Sequence, residues 1–412
     1  MRVLIVNSTD ISGGAARAAY RLHQSLLMKN VDSTMLVQNK MSDDFSVVGP
    51  ISKFDRAFNK LRPTLDSLPL KRYKDKSATL FSTSWVFSGN LVNQINKLNP
   101  DIVHLHWINS GMLRLEDLSK IKSKIVWSLH DMWMFTGGCH YDDDCGLYKD
   151  NCGNCPVLNS RFSHDLSRVI LKRKSRAFAN VSSLTVIGVS KWLQGCAEQS
   201  QLLKNRTVLT LPNPIDTTLF RGHDKLLSRR LWGLPSNKKL ILFGAIGSTN
   251  DPRKGFSELI DTLKNIDTRN VAFVVFGATR PLNPPVFDCE VIYVGSLHDD
   301  VSLISLYCSV DVMVVPSRQE AFGQTASESM ACGTPVVSFR HTGLLDIVDH
   351  KVNGYLAAPS DTEDLAAGIE WVLNNESYSE LCIEARKKVV SKFDSKVVAE
   401  KYIEVYRGLL NE

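Results

Sequence analysis

Glu320 and Glu328 stand eight positions apart, with Phe322-Gly323 between them. Residues 320–337 read Glu-Ala-Phe-Gly-Gln-Thr-Ala-Ser-Glu-Ser-Met-Ala-Cys-Gly-Thr-Pro-Val-Val. Just upstream, residues 311–317 (Asp-Val-Met-Val-Val-Pro-Ser) have the pattern of a buried strand running into a loop. Glu320 is therefore expected outside the carboxyl end of a strand, where open α/β sheets bind ligands. Phe322 and Gly323 are expected to open a helix, whose free N–H groups hold an anion or a hydroxyl. Glu328, about two turns on, is expected to face roughly the same side as Glu320. Two carboxylates beside a helix N-terminus suit a sugar nucleotide, with acceptors for hydroxyls and donors for phosphate.

The elements that position this pair follow from periodicity. Strand patterns occur at 2–7, 33–38, 102–106, 124–130, 184–189 and 207–211, with helical patterns between them at 15–28, 113–121 and 190–199. The second half repeats the layout, with strands at 239–245, 271–276, 291–294, 311–315 and 335–338. Such alternation implies parallel sheets with helices on both faces. Pro212 and Pro214 mark a stiff break between the halves. Residues 395–410 carry helical apolar spacing through Val397, Val398, Tyr402, Val405 and Leu409. Residues 40–90, polar and basic with scattered aromatics, read either as a helical insert or as a mobile loop.

Three further constellations belong at strand ends. Ser12-Gly13-Gly14 follows the first strand and opens the first helix, a turn where the backbone can approach an anion closely. The full Gly-x-Gly-x-x-Gly fingerprint is absent, which disfavours a dehydrogenase. Arg253 and Lys254, ahead of Gly255, stand at a loop-to-helix junction suited to neutralising a diphosphate. His106 and His130 each end a first-half strand.

The 320–337 segment closely resembles the Glu-(seven residues)-Glu motif of retaining glycosyltransferases of family 4, which have the GT-B fold. Two acids eight apart are common, but the whole string, with Phe-Gly inside and Gly-Thr-Pro-Val-Val after it, is specific. The resemblance covers nearly the whole chain. It implies an α/β protein with two doubly wound Rossmann-like domains facing a cleft: an acceptor-side domain at 1–212, a donor-binding domain at 213–394, and a C-terminal helix at 395–412 that crosses back to the first. It implies a hexosyltransferase, with Glu320, His130 and Lys254 as catalytic residues. The donor would be a UDP- or GDP-sugar, held by Gly13, Gly14, Arg253, Lys254, Gly295, Phe322, Gly323, Gln324 and Glu328. The acceptor would be a glycan or lipid-linked glycan in bacterial cell-surface polysaccharide synthesis, as in the colanic acid branch of the family. No cofactor is required for the reaction, because cations and helix termini stand where a divalent ion would. One departure is local: the family places an arginine about five positions before Lys-Gly, and here Thr249 stands there with Arg253 beside the lysine.

Cys139, Cys145, Cys152 and Cys155 fall within 17 positions, immediately after the His130 loop. The Cys-x2-Cys pair with two nearby partners suits a structural zinc, while disulfides and plain thiols remain alternative readings.

Charge divides unevenly. Residues 1–215 carry 28 Lys and Arg against 17 Asp and Glu, and residues 216–412 carry 21 against 26, within a net +6. The basic clusters at 71–76 and 168–176 point to an anionic acceptor or to peripheral contact with an anionic membrane. No nucleic-acid partner is expected, since the aromatics are not interleaved with those clusters. No apolar run reaches the roughly 18–20 residues needed to span a bilayer. The expected location is cytoplasmic, on the inner face of the membrane if peripheral. The rival readings are a sugar-nucleotide epimerase of the same fold and a non-enzymatic, basic, Cys-rich binding protein.

Overall fold

The computed structural model describes residues 1–244, 247, 251–282 and 284–411. The chain divides into two compact units, Met1–Pro212 with Val398–Glu412, and Asn213–Val397. Both are α/β.

Unit 1 holds seven strands: β1 (Arg2–Thr9), β2 (Asp32–Asn39), β3 (Val47–Val48), β4 (Ile102–Leu105), β5 (Lys124–Leu129), β6 (Leu184–Gly188) and β7 (Val208–Thr210). They lie in the order β3-β2-β1-β4-β5-β6-β7, every pair parallel. Unit 2 holds β8 (Lys239–Gly244), β9 (Val271–Phe276), β10 (Glu290–Gly295), β11 (Val312–Val315), β12 (Val336–Phe339) and β13 (Gly354–Ala357). Their order is β10-β9-β8-β11-β12-β13, again all parallel. The central strands are continuous apolar runs, such as Val271–Phe276 and Val312–Val315, with every residue buried. That is the sequence signature of a parallel sheet covered on both faces, as opposed to the in–out alternation of a half-wet one. The two doubly wound sheets match the fold expected from the resemblance. The short strands β3 and β13 carried no strand signal that the periodicity reading used.

The expected helix over 113–121 is instead a 3-10 turn, Leu115–Lys120. Residues 40–90 form a helical insert: a helix at Lys53–Ser67 continues into a 3-10 turn at Leu68–Arg72. The C-terminal helix Ser395–Asn411 places Val398, Tyr402, Ile403 and Tyr406 among Ile5, Leu22, Met35 and Val126 in the core of unit 1. Two fully buried tyrosines contribute about 2–3 kcal/mol each at ordinary transfer values. In unit 2, Ile215 N–H donates to Phe393 O at 2.8 Å and Ser395 N–H donates to Ile215 O at 2.9 Å, so the segments by which the chain enters and leaves the unit are tied together.

Candidate functional site

In unit 2 the strand order reverses between β8 and β11, and the loops leaving their carboxyl ends carry Lys254 and Glu320. Lys254 Nζ donates to Glu320 Oε2 at 2.6 Å, and Ser317 Oγ donates to the same oxygen at 3.3 Å. The two side chains are 19% and 16% exposed, so solvent reaches the pair without surrounding it. The loops are locked to each other. Arg318 N–H donates to Arg253 O at 2.8 Å. Gly255 adopts φ +72, and a Cβ there would stand 1.8 Å from Pro316 O, so only glycine allows the approach. Glu320 N–H donates to Thr342 Oγ1 at 3.0 Å, and Glu320 O accepts from Gly343 N–H at 2.9 Å.

Residues 322–324 correct one expectation. The helix runs Gln324–Ala331 and does not open at Phe322. Gly323 has φ +103, which no helical residue adopts, and acts as its N-cap. The Phe322 ring is buried edge-on against Phe393, with centroids 5.4 Å apart, and anchors the turn. Glu328 on the same helix is 3% exposed and accepts from Tyr307 Oη at 3.0 Å. The two acids therefore sit at different depths. Arg253 pairs with Asp251 Oδ2 at 2.5 Å. Gly295 ends β10 with φ +77, and its carbonyl accepts from Gly277 N–H at 2.8 Å. Of the loop between β8 and Lys254, residues 245, 246 and 248–250 lie outside the described residues, Thr249 among them.

In unit 1 the order reverses between β1 and β4. Gly13, with φ +95, caps the helix Gly14–Met28, and the space where a Cβ would stand is empty to 4 Å. Asp10, fully buried, accepts the main-chain N–H groups of Ile11, Met41 and Ser42, which joins the turn after β1 to the end of β2. His130, just beyond β5, contacts His106 Nδ1 through Nε2 at 2.8 Å. The His106 ring lies tilted against His104 with centroids 4.2 Å apart, and His104 is held between Tyr406 Oη at 2.6 Å and Ser128 Oγ at 2.8 Å. The Nε2 of His106 is buried without a hydrogen-bond partner among the described residues. Burial pushes His130 down to about 4 against the pull of Asp131, and pushes His104 down to about 3. All three rings are neutral near pH 7. Asp131 accepts from Trp107 Nε1 at 3.0 Å and Trp133 N–H at 2.8 Å, and pairs with His140 Nδ1 at 2.6 Å.

The sequence reading passed over His104, Asp10, His140 and Tyr406. His104 and His106 were recoverable as a pair, since alternate residues of a strand share a face. Tyr406 was not, because nothing local to the C-terminal helix names a histidine some three hundred residues away.

The basic run at 172–176 is not one solvated face. Lys174 is fully buried, with its Nζ donating to Trp133 O and to Thr136 O and lying 3.8 Å from the Trp133 ring centre. Burial pushes it down to about 7. Arg173 is held by Glu116 at 2.8 Å. Lys172 and Arg176 are exposed.

Cys139, Cys145, Cys152 and Cys155 line one small cavity, and none is in a disulfide. Burial pushes their thiols up, Cys145 to about 11 and Cys152 to about 12. Main-chain N–H groups pull the other way: Leu147 at Cys145, Gly137 at Cys152, and Leu158 and Val157 at Cys155. Among the described residues no group of three or more His, Cys, Asp or Glu side chains stands ready-made to hold a metal ion.

The family model described as Glycosyltransferase Family 4 matches residues 12–219, and that described as Glycosyl transferases group 1 matches residues 238–375. An uncharacterised glycosyltransferase of Methanocaldococcus jannaschii is 28% identical over 344 residues, covering 77% of this chain and 85% of that protein. The capsular polysaccharide biosynthesis glycosyltransferase CapM of Staphylococcus aureus is 29% identical over 240 residues, covering 55% and 62%. Among solved structures, sucrose-phosphate synthase from Thermosynechococcus elongatus superposes with a TM-score of 0.69 at 18% identity, covering 100% of this chain and 99% of that one. HepE of Anabaena, solved in complex with UDP-glucose, superposes with a TM-score of 0.65 at 17% identity, covering 99% and 100%.

Proposed function

The chain belongs to the glycosyltransferases of family 4, and from that membership we propose the following reaction. A sugar passes from a UDP- or GDP-sugar to a hydroxyl of a glycan or lipid-linked glycan, with retained anomeric configuration, in the synthesis of a bacterial cell-surface polysaccharide. The observation that carries this reading is the Lys254–Glu320 contact at the switch point of unit 2. A cation and a carboxylate side by side at strand ends match the two demands of a sugar diphosphate. The lysine, with Arg253 next to it, meets the negative charge that grows on the departing diphosphate. The carboxylate accepts hydrogen bonds from the sugar hydroxyls.

The other roles follow from position. The turn from Phe322 to Gln324, at a helix N-terminus, is assigned a phosphate or hydroxyl of the donor. Glu328, oriented by Tyr307, is assigned the ribose hydroxyls, and the backbone at Gly295 is assigned the base. In unit 1, the turn at Gly13 and Gly14 is assigned an anionic or hydroxyl group of the ligand. His130, neutral and oriented by His106, is assigned a hydroxyl. The incoming hydroxyl attacks on the face from which the diphosphate leaves and passes its proton to a diphosphate oxygen, so no protein nucleophile is assigned. HepE binding UDP-glucose and CapM serving capsular polysaccharide synthesis support the donor and product classes.

The cysteine loop is proposed to carry a structural zinc. Four unbridged thiols on one cavity, three of them buried, with main-chain N–H groups set toward three of the sulfurs, are of the donor type a soft divalent ion takes, and the loop would have to draw them together around it. The ion would pin the loop that follows His130 and take no part in transfer.

The deciding experiment is a panel of UDP- and GDP-sugars, read by thermal shift and by transfer to lipid-linked acceptors. One donor should raise the melting temperature and be consumed faster when acceptor is present. Consumption that ignores acceptor would instead favour the epimerase, and no response to any nucleotide sugar would end the transfer reading.

A further inference from the structure

The helix Lys53–Ser67 is built inside out. Its only buried residues are Arg62 and Asp66. Arg62 donates to Phe87 O and Gly111 O, each at 2.8 Å. Asp66 accepts the main-chain N–H groups of Thr83, Ser84 and Trp85. The helix is thus fastened to unit 1 by its charges, while Phe54 and Leu61 face solvent and Phe58 and Leu65 are half-buried. Phe54 is 78% exposed and Leu61 57%, and Ile51, just ahead of the helix, is 82% exposed. Phe54 stacks on Phe58 with centroids 6.5 Å apart, and Phe58 meets Phe87, itself 57% exposed, at 5.6 Å. Trp85, 44% exposed, donates its indole N–H to Leu65 O at 3.0 Å. Phe54, Phe58 and Phe87 make an aromatic ridge, with the Arg62 guanidinium over the Phe58 and Phe87 rings, and Ile51, Leu61 and Trp85 expose further apolar surface in the same segments. A globular protein does not ordinarily leave such a ridge in water.

The charge beside the ridge narrows what covers it. At roughly 100° per residue, Phe54, Phe58, Leu61 and Leu65 share one stripe, Lys53 and Lys60 lie roughly 110–130° round the helix from it on the side away from Arg62 and Asp66, and Arg56 stands on the face opposite the stripe. Lys71, Arg72, Lys74 and Lys76 follow, all exposed. Residues 51–76 hold eight basic side chains against three acidic ones. A second copy of the chain would bring the same positive face against this one, and like charges across an interface repel. Aromatic rings rimmed by lysine and arginine fit the boundary between acyl chains and anionic head groups.

We infer that unit 1 docks on an anionic bilayer through the ridge Ile51–Phe54–Phe58–Leu61–Trp85–Phe87 and its basic flank. The attachment is peripheral, because among the described residues no helix is long and apolar enough to cross a membrane. Bilayer binding is measured without donor or acceptor, so this inference stands or falls apart from the transfer reading.

The test is flotation of the full chain with vesicles of phosphatidylglycerol in phosphatidylcholine, and with phosphatidylcholine alone. Binding is expected on the anionic vesicles and lost at high salt, since such attraction decays within a Debye length. The triple variant I51S/F54S/L61S should lose binding by roughly 10-fold or more. K53Q/K60Q should lose about 25-fold, at about fivefold per basic residue. The comparison variant K172Q/R176Q, which alters the exposed charges of the helix Leu166–Ala179, should bind as wild type. All substituted residues are exposed, so each variant should melt like wild type, and circular dichroism confirms that it is folded. Equal binding by wild type and I51S/F54S/L61S, or no binding by wild type to either vesicle, overturns the inference. So does a concentration-dependent dimer that I51S/F54S/L61S abolishes, which would assign the ridge to a second copy.

Discussion

Lys254 Nζ lies 2.6 Å from Glu320 Oε2 although 66 residues separate them in the chain. The contact exists because β8 and β11 are adjacent in the sheet while far apart in sequence, and their outgoing loops meet over the point where strand order reverses. Each side chain fixes the position of the other.

If this pair binds the donor, Lys254→Ala and Glu320→Gln should each lower turnover by roughly 100-fold, as loss of one charge-stabilising group does. Neither should unfold the chain, since both side chains reach solvent. Steady-state transfer rates beside melting curves decide it. Rates within a few-fold of wild type in both variants would remove the pair from the donor site.

Gly255→Ala should be worse than its size implies. The added Cβ meets Pro316 O at 1.8 Å, and φ +72 is strained for any side chain. A left-handed conformation alone costs about 1–2 kcal/mol, and relieving the clash must separate the two loops. The expected result is a loss of about 2 kcal/mol or more in chemical denaturation, with activity falling as far as in Lys254→Ala. Gly13→Ala makes the contrast, since its Cβ would meet nothing within 4 Å and only the strained φ is felt.

The buried histidines set an acid limit. His104 and His130 are lowered by burial to about 3 and about 4, from 6.5. Between pH 6.5 and 4 the unfolded chain takes up protons that the folded chain refuses, so stability falls as pH falls. The slope approaches about 1.4 kcal/mol per pH unit for each such histidine. Melting temperature followed from pH 7 to pH 4 measures it. His104→Gln, which cannot be protonated in this range, should flatten the curve. An unchanged slope would show that His104 takes no part in the acid loss.

Metal analysis of the purified chain should find about one zinc per chain by the four-ligand rule of structural sites. Cys152→Ser with Cys155→Ser should abolish it and lower the melting temperature, and chelator should do the same to wild type. A metal-free preparation whose melting ignores chelator would leave the four cysteines as plain thiols, two of them packed in the cluster with Phe81, Val157 and Ile170.

The sheets were legible because their signal is local. Val271–Phe276 and Val312–Val315 are apolar at every position, and a strand buried on both faces cannot be otherwise. The Glu320–Glu328 segment was legible because its chemistry and its helix occupy one stretch of chain. Less was legible where a residue's role is set by a distant neighbour. Lys174 read as one more basic side chain on a helix, yet the fold places it under the Trp133 ring with two carbonyls as acceptors. Phe54 and Leu61 read as scattered apolar residues in a segment without a clear pattern, and only the placement of Arg62 and Asp66 decides which way that helix faces.

The sequence by itself determined the two α/β halves, the Pro212–Pro214 break and the residue types available at the strand ends, because periodicity and turn chemistry act over a few residues. Only the tertiary structure decided that Lys254 meets Glu320, that Glu328 lies deeper against Tyr307, and that His104 is clasped by Tyr406 from the C-terminal helix. Those contacts depend on strand order, and strand order is fixed by which apolar faces bury each other across the whole unit.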